Sequence, residues 1–240
     1  MRWAGTWTSI TSWARVVGEA AIGAVLFDLD GTLADTAPDM ARTVNLMREK
    51  RGLAPVASVK VRPHVSKGAR GMICSAFDMT TEHPDYMAMR DEFLDIYKDN
   101  LCIGTQLFPG MDELLAALES GGVAWGVVTN KAERFANPLI EGLGLSERAA
   151  IVVGGDTCPR PKPFPDPLLF AAAKLGVEPS RTLYIGDDER DVQAARAAGM
   201  PVIVAGYGYL GDGPAPSQWG ADAVVQSVSE IDRWIRARAA

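Results

Sequence analysis

The chain has only two histidines and three cysteines in 240 residues. His64 and His83 stand in no motif, and neither is a good catalytic candidate. Cys74, Cys102 and Cys158 are odd in number and lack metal-ligand spacing, which argues against a disulfide framework and fits a reducing cytoplasm. Acids outnumber bases, 30 to 24, and no lysine- or arginine-rich run occurs, which excludes nucleic acid as a partner. There is no internal repeat and no low-complexity tract. Residues 1–20 carry Trp3, Trp7 and Trp13 among serines and threonines, with no acid before Glu19. They lack the apolar stretch and cleavage site of a signal peptide, and fall short of the about 20 apolar residues of a membrane span. They read as a non-catalytic extension, as an upstream start codon would produce.

What the chain does have is alternation. Short apolar runs at Ala24–Phe27, Val123–Val128, Ile151–Val153, Thr182–Ile185, Val202–Val204 and Ala223–Val225 predict strands. Helical spacing predicts helices at Met111–Ser120, Phe135–Leu143, Pro167–Leu175 and Asp191–Ala198, the last ended by Gly199. Strands apolar throughout and separated by helices imply an α/β fold with a parallel sheet covered on both faces. From Thr36 to Leu101 the alternation stops, and helices are expected at Pro38–Arg51, Gly68–Phe77 and Tyr86–Asn100. The organisation that follows is a core of residues 21–36 and 105–240 with an all-helical cap, 37–104, inserted over the strand ends. Gly104 to Gly110 reads as the return hinge.

Four strand ends hold polar groups that packing does not require. They are Asp28 and Asp30 with Gly31; Thr129-Asn130-Lys131; Lys162 in a proline-dense loop; and Gly186-Asp187-Asp188-Glu189-Arg190-Asp191. In a parallel sheet these meet at one edge, where ligands of open α/β sheets bind. With a period of two, Asp28 and Asp30 point the same way unless the strand ends between them. Paired carboxylates repel, so a cation or a shared proton is expected with them.

The chemistry this set suits is phosphoryl transfer from an oxygen ester. Asp28 is the expected nucleophile, forming an aspartyl phosphate. Asp30 protonates the leaving alkoxide and then activates water. Thr129 and Lys162 hold phosphoryl oxygens. Mg²⁺ is expected on Asp28, Asp187 and a backbone carbonyl, with Asp30 counted among the metal-binding positions. Asp188 either caps or charges the next helix, and Asp191 orients the site from behind. In the cap, Arg62, Ser66, Lys67 and Arg70 lie on a basic, glycine-broken stretch that suits an anionic part of the substrate. Each group also has a plain structural reading: Asp30-Gly31 as a turn, Thr129 as a helix cap, Lys162 as a solvated lysine and the cap stretch as an ordinary helix start.

Taken in order, the D-x-D-G-T motif at Asp28–Thr32, the strand-ending Thr129, Lys162 before a proline turn, and the acidic Gly186–Asp191 motif resemble the haloacid dehalogenase superfamily. The resemblance runs from about Ala21 to the C-terminus. It implies a Rossmann-like core with a helical cap, Mg²⁺ as cofactor and phosphatase activity on a small phosphorylated metabolite. A cytoplasmic monomer or homodimer, with no membrane or nucleic-acid partner, is expected. The segments Trp125–Lys131, Tyr207-Gly208-Tyr209 and Trp219–Asp222 look like those of bacterial phosphoglycolate phosphatases, and also of the related N-acetylmuramic acid 6-phosphate phosphatases. The expected substrate is 2-phosphoglycolate first and the amino-sugar phosphate second. A halide-releasing enzyme has no use for Asp30 or a Mg²⁺ ligand set. A phosphomutase needs a cap that retains its product. The rival from another class is a metabolite-binding module on the same scaffold.

Overall fold

A computed structural model describes residues 21–239, so the expectations for residues 1–20 lie outside the described residues. The core is a six-stranded parallel sheet. Its strands are β1 (Ala24–Phe27), β4 (Ala124–Val128), β5 (Ile151–Val153), β6 (Thr182–Gly186), β7 (Val202–Ala205) and β8 (Ala223–Val225), in the order β5-β4-β1-β6-β7-β8. Every pairing is parallel, with Phe27 opposite Val127 on one side and Ile185 on the other. Alternation sorts the side chains. Val25, Phe27, Leu183 and Ile185 pack on one face against α5 (Met111–Ser120) and α9 (Val228–Ala239). Leu26 and Tyr184 pack on the other against α7 (Asp166–Leu175) and α8 (Glu189–Ala197). All predicted strands and core helices are present within a few residues of their expected bounds. The terminal helix α9 was not expected from the sequence, although Val228, Ile231 and Ile235 give it a buried stripe at helical spacing.

Between β2 (Ala34–Asp35) and β3 (Gln106–Leu107) the chain is helical: α1 (Ala37–Glu49), α2 (Ser58–Val61), a 3-10 turn at Arg62–Lys67, α3 (Gly68–Phe77) and α4 (Tyr86–Asp99). These helices have an apolar core of their own, built on Val44, Met47, Met72, Ile73 and Phe93. α6 (Glu133–Gly142), on the core side, contributes Phe135 to it. The return segment is more than a hinge. β2 and β3 form an antiparallel pair too short for any periodicity to reveal. Beside it the buried Asp39 carboxylate accepts the N–H groups of Ile103, Gly104 and Thr105, at 3.1, 2.7 and 3.0 Å, tying the two crossings together.

Candidate active site

The site grows from the middle of the sheet. β4, β1 and β6 lie side by side, so the residues that follow them, Thr129, Asp28 and Asp187, come together at the carboxyl edge. β1 ends at Phe27, and the Asp28 N–H donates to the Ile185 carbonyl at 2.8 Å. Lys162 arrives from the proline-dense loop, which the Asn130 amide clamps from both sides. Asn130 donates to the Lys162 carbonyl at 2.9 Å and accepts the Lys162 N–H at 3.0 Å. Lys162 is buried, its ammonium donating to Val128 O and Tyr184 Oη at 3.0 and 2.8 Å. It stands 2.9 Å from Asp28 Oδ1 and 2.7 Å from Asp191 Oδ1.

Asp28, Asp187 and Asp191 present carboxylate oxygens within 4.8 Å of one another, all buried. Lys162 is the cation in direct contact with two of them, so three acids share one ammonium and the cluster is short of positive charge. Asp28 Oδ1 is met by the Lys162 ammonium, a cation that it shares with Asp191. Burial pushes the Asp28 carboxyl up to about 6, against the pull of Lys162. Burial, reinforced by Asp28 and Asp191, holds Asp187 well above the ordinary carboxylate range. Three buried carboxylates that share one ammonium fit a hard divalent cation such as Mg²⁺. Asp187 is braced for such a role. Its Oδ1 accepts from Thr32 Oγ1 at 3.1 Å and its Oδ2 from the Tyr209 N–H at 2.6 Å. Gly31 has no alternative here: at φ 87°, an added Cβ would fall 2.1 Å from Asp187 Oδ2.

Asp30 goes elsewhere. The strand ends before Asp28, and the turn through Gly31 breaks the period of two, so the two acids diverge. The Asp30 carboxylate accepts from Lys131 Nζ at 2.9 and 3.0 Å and from Thr36 Oγ1 at 2.6 Å. The carboxylates gathered at one point are therefore Asp28, Asp187 and Asp191, and that of Asp30 is not among them. Lys131, two positions after Thr129 and named among the strand-end groups without a role of its own, is the partner of Asp30. Thr129 is buried and lines the site, its hydroxyl accepting the Lys131 N–H at 3.2 Å. Asp188 caps α8, accepting from Arg190 N at 2.9 Å, and Asp191 closes the reciprocal bond to Asp188 N at 3.0 Å.

Above the acids a cavity of about 330 Å³ opens between the sheet edge and the helical segment. Of the four cap residues expected to read the substrate, Ser66 and Lys67 line it; Arg62 and Arg70 do not. Arg62 is taken by Asp35, which accepts two hydrogen bonds at 2.8 and 2.9 Å, and it stacks 4.8 Å from the centre of the Tyr209 ring. Arg70 is exposed. Ser66 touches the acidic cluster itself, its hydroxyl 3.4 Å from Asp187 Oδ2, while its carbonyl accepts from Arg190 at 2.8 Å. Arg134, on α6, and Arg190, on α8, also line the cavity. Phe135, beside Arg134, with Met40, Phe93 and Tyr97, makes the wall apolar and aromatic.

This arrangement has known counterparts. The chain is 46% identical over 208 residues to an N-acetylmuramic acid 6-phosphate phosphatase of Pseudomonas aeruginosa, covering 87% of this chain and 92% of that protein. It is 47% identical over 212 residues to a phosphoglycolate phosphatase of Xanthomonas campestris pv. campestris, covering 87% and 94%. Among solved structures, one described as a predicted phosphoglycolate phosphatase from Haemophilus somnus superposes with a TM-score of 0.78 at 27% identity, over 90% of this chain and 99% of that one. The sequence profile of haloacid dehalogenase-like hydrolases matches residues 25–205, a span that holds Asp28, Asp30, Thr129, Lys131, Lys162, Asp187 and Asp191. By that match and by these relatives, the chain belongs to the haloacid dehalogenase-like hydrolase family.

Proposed function

We propose that the protein is a Mg²⁺-dependent phosphomonoesterase that works through a phosphoryl group carried on Asp28. The observation that carries this reading is the buried Asp28 carboxylate, which lines the cavity in an ion pair with Lys162, 2.9 Å from its Oδ1, and within 4.8 Å of the Asp187 and Asp191 carboxylates. A carboxylate so placed attacks phosphorus, and the bridging oxygen departs with a proton from Asp30. Asp30 then takes a proton from the water that hydrolyses the acyl phosphate. Lys131 and Thr36 hold Asp30 in one orientation for both steps. Thr129 and Lys162 meet the phosphoryl oxygens with a hydroxyl and a charge. Asp28, Asp187 and Asp191 offer the oxygens for Mg²⁺, which when bound would offset their surplus charge and withdraw charge from the phosphoryl group. A module that only binds a metabolite has no use for a nucleophile and a separately held acid. No helix among the described residues is long and apolar enough to cross a membrane, and with its three free cysteines we read the protein as cytoplasmic.

The cavity supports a hexose-sized substrate. At about 330 Å³, with an aromatic wall and Lys67 and Arg134 at its rim, it exceeds the needs of a two-carbon acid. We therefore reverse the order reached from sequence and put N-acetylmuramic acid 6-phosphate first. The Xanthomonas relative supports 2-phosphoglycolate as the second reading. The test is phosphate release from both at matched concentrations, with Mg²⁺ and then with excess EDTA. A preference of about 100-fold in kcat/KM for the amino-sugar phosphate is expected, a discrimination of under ~3 kcal/mol. The reverse preference would install 2-phosphoglycolate, and full activity in EDTA would sink the metal requirement.

Asp30→Asn gives a second expectation. Without the acid, alkyl phosphates lose about 10²–10⁴-fold in kcat, because an alkoxide leaves badly unprotonated. An aryl phosphate such as p-nitrophenyl phosphate, whose leaving group needs no proton, loses far less. Equal losses on both would show that Asp30 is not the acid.

A further inference from the structure

The charges on the cavity wall do not balance. Lys131 pairs with Asp30 at 2.9 Å, Lys162 with Asp28 and Asp191 at 2.9 and 2.7 Å, and Arg190 with Asp188 at 2.7 Å. Those pairs use every acid that lines the cavity. Two lining cations are left over, Lys67 and Arg134. Neither makes an ion pair or a hydrogen bond among the described residues, and both are exposed, so a ligand can reach them. They come to the cavity from different elements. Lys67 ends the 3-10 turn of the helical segment, and Arg134 stands in the first turn of α6. The Arg134 guanidinium lies 4.8 Å from the centre of the Phe135 ring, itself part of the wall. A guanidinium stacked on a ring keeps the N–H donors at its edge free for a carboxylate.

Depth says what these two cations meet. Asp28 and Lys162, which take the phosphoryl group, are 7% and 4% exposed and form the floor. Lys67 and Arg134, open to solvent, stand at the mouth, where the leaving alcohol extends. We propose that Arg134 and Lys67 are specificity-determining residues that clamp a carboxylate carried by the leaving alcohol. The substrate class is then phosphomonoesters of alcohols that bear a carboxylate. Arg134 offers such a group two parallel N–H donors, and Lys67 offers a point charge. An exposed ion pair is worth little in water, but a substrate that fills the cavity displaces that water and strengthens the attraction. A neutral alcohol shields both cations from water and gives nothing back. This inference rests on the phosphatase reading.

The experiment measures kcat/KM, with Mg²⁺, on two pairs of substrates that differ in the group bearing the carboxylate. One pair is N-acetylmuramic acid 6-phosphate and N-acetylglucosamine 6-phosphate, which lacks the lactyl ether. The other is 2-phosphoglycolate and ethyl phosphate. Wild type should prefer the acidic member of at least one pair by about 100-fold. Arg134→Gln should remove at least about tenfold of that preference, mostly through KM, and Lys67→Gln about threefold or more. Arg134→Lys should keep part of it, because the charge stays. Tm should not move in any of the three, since both side chains are exposed. A wild type without the preference in either pair would overturn the proposal. So would Arg134→Gln that lowers both members of a pair equally, which would assign the guanidinium to the phosphoryl group or to steering alone. Absence of Mg²⁺-dependent release from every substrate, p-nitrophenyl phosphate included, is a different failure. It would remove the phosphatase reading first, and the clamp with it.

Discussion

Asp28→Asn should leave a folded protein with no turnover. The amide is nearly the same size and still fits the end of β1, where the backbone N–H of residue 28 is held by Ile185 O at 2.8 Å. It cannot attack phosphorus, because its nitrogen lone pair is delocalised and its oxygen carries no full charge. Removing a nucleophile that no neighbour replaces should cost at least about 10³-fold in kcat, or ~4 kcal/mol of barrier. Asp191, the other acid touching Lys162, is engaged by Tyr184 Oη and the Asp188 N–H at 3.2 and 3.0 Å, and is not free to substitute. The variant should also be no less stable than wild type without metal, since a carboxyl that burial pushes to about 6 has become neutral. Phosphate release on the natural and aryl substrates checks the first claim. Mass analysis of acid-quenched protein checks the chemistry: wild type should carry one phosphoryl group during turnover and the variant none. Residual activity above a few per cent of wild type would sink the assignment.

Lys162→Met should produce the largest loss of stability of any single change at the site. Methionine fills a similar volume, so the effect isolates the charge. Lys162 is 4% exposed and stands between Asp28 and Asp191, and taking it away leaves two buried carboxylates without their cation. Breaking a buried ion pair from one side costs about 3–5 kcal/mol, a fall in Tm on the order of 10 °C for a chain of this length. The loss should depend on pH. A carboxyl whose pKa is raised in the folded state contributes its full stability below its unfolded value and loses it as pH rises through its folded value. With Asp28 already at about 6 and pushed further by removal of its cation, the variant should lie close to wild type near pH 4–5 and fall well below it at pH 8. Thermal melts in EDTA at the two pH values decide this. A deficit that is equal at both, or larger in acid, would show that Lys162 acts through packing and not through charge.

Much of this was legible in the residues alone. Apolar runs of four or five with helices between them can bury both faces only in a parallel sheet, and that sheet is present with all six strands in parallel register. The strand-end residues Asp28, Thr129, Lys162 and Asp187 were legible for the same reason: polar groups at the ends of buried strands are not required by packing. The gap between the first two long strands read as helices because it has helical spacing and no strand pattern, and α1, α3 and α4 stand where that spacing put them. Less visible were β2 and β3, two residues each, which are shorter than any period. The partners of Arg62 were invisible too. Nothing in a basic loop says that Asp35, 27 positions earlier, will take its guanidinium and turn it from the cavity.

Local sequence therefore determined which elements form and which chemical groups their ends deliver, because periodicity and turn chemistry act over a few residues. Tertiary structure alone decided which group faces which. It parted Asp30 from Asp28 at the end of β1 and gave it to Lys131. It brought Asp191 in place of Asp30 to the shared acidic point, and it set the Tyr97 ring against the Lys131 ammonium. These pairings are contacts across tens to more than a hundred residues. Their energies depend on burial and on distances of a few ångströms, which only the folded chain defines.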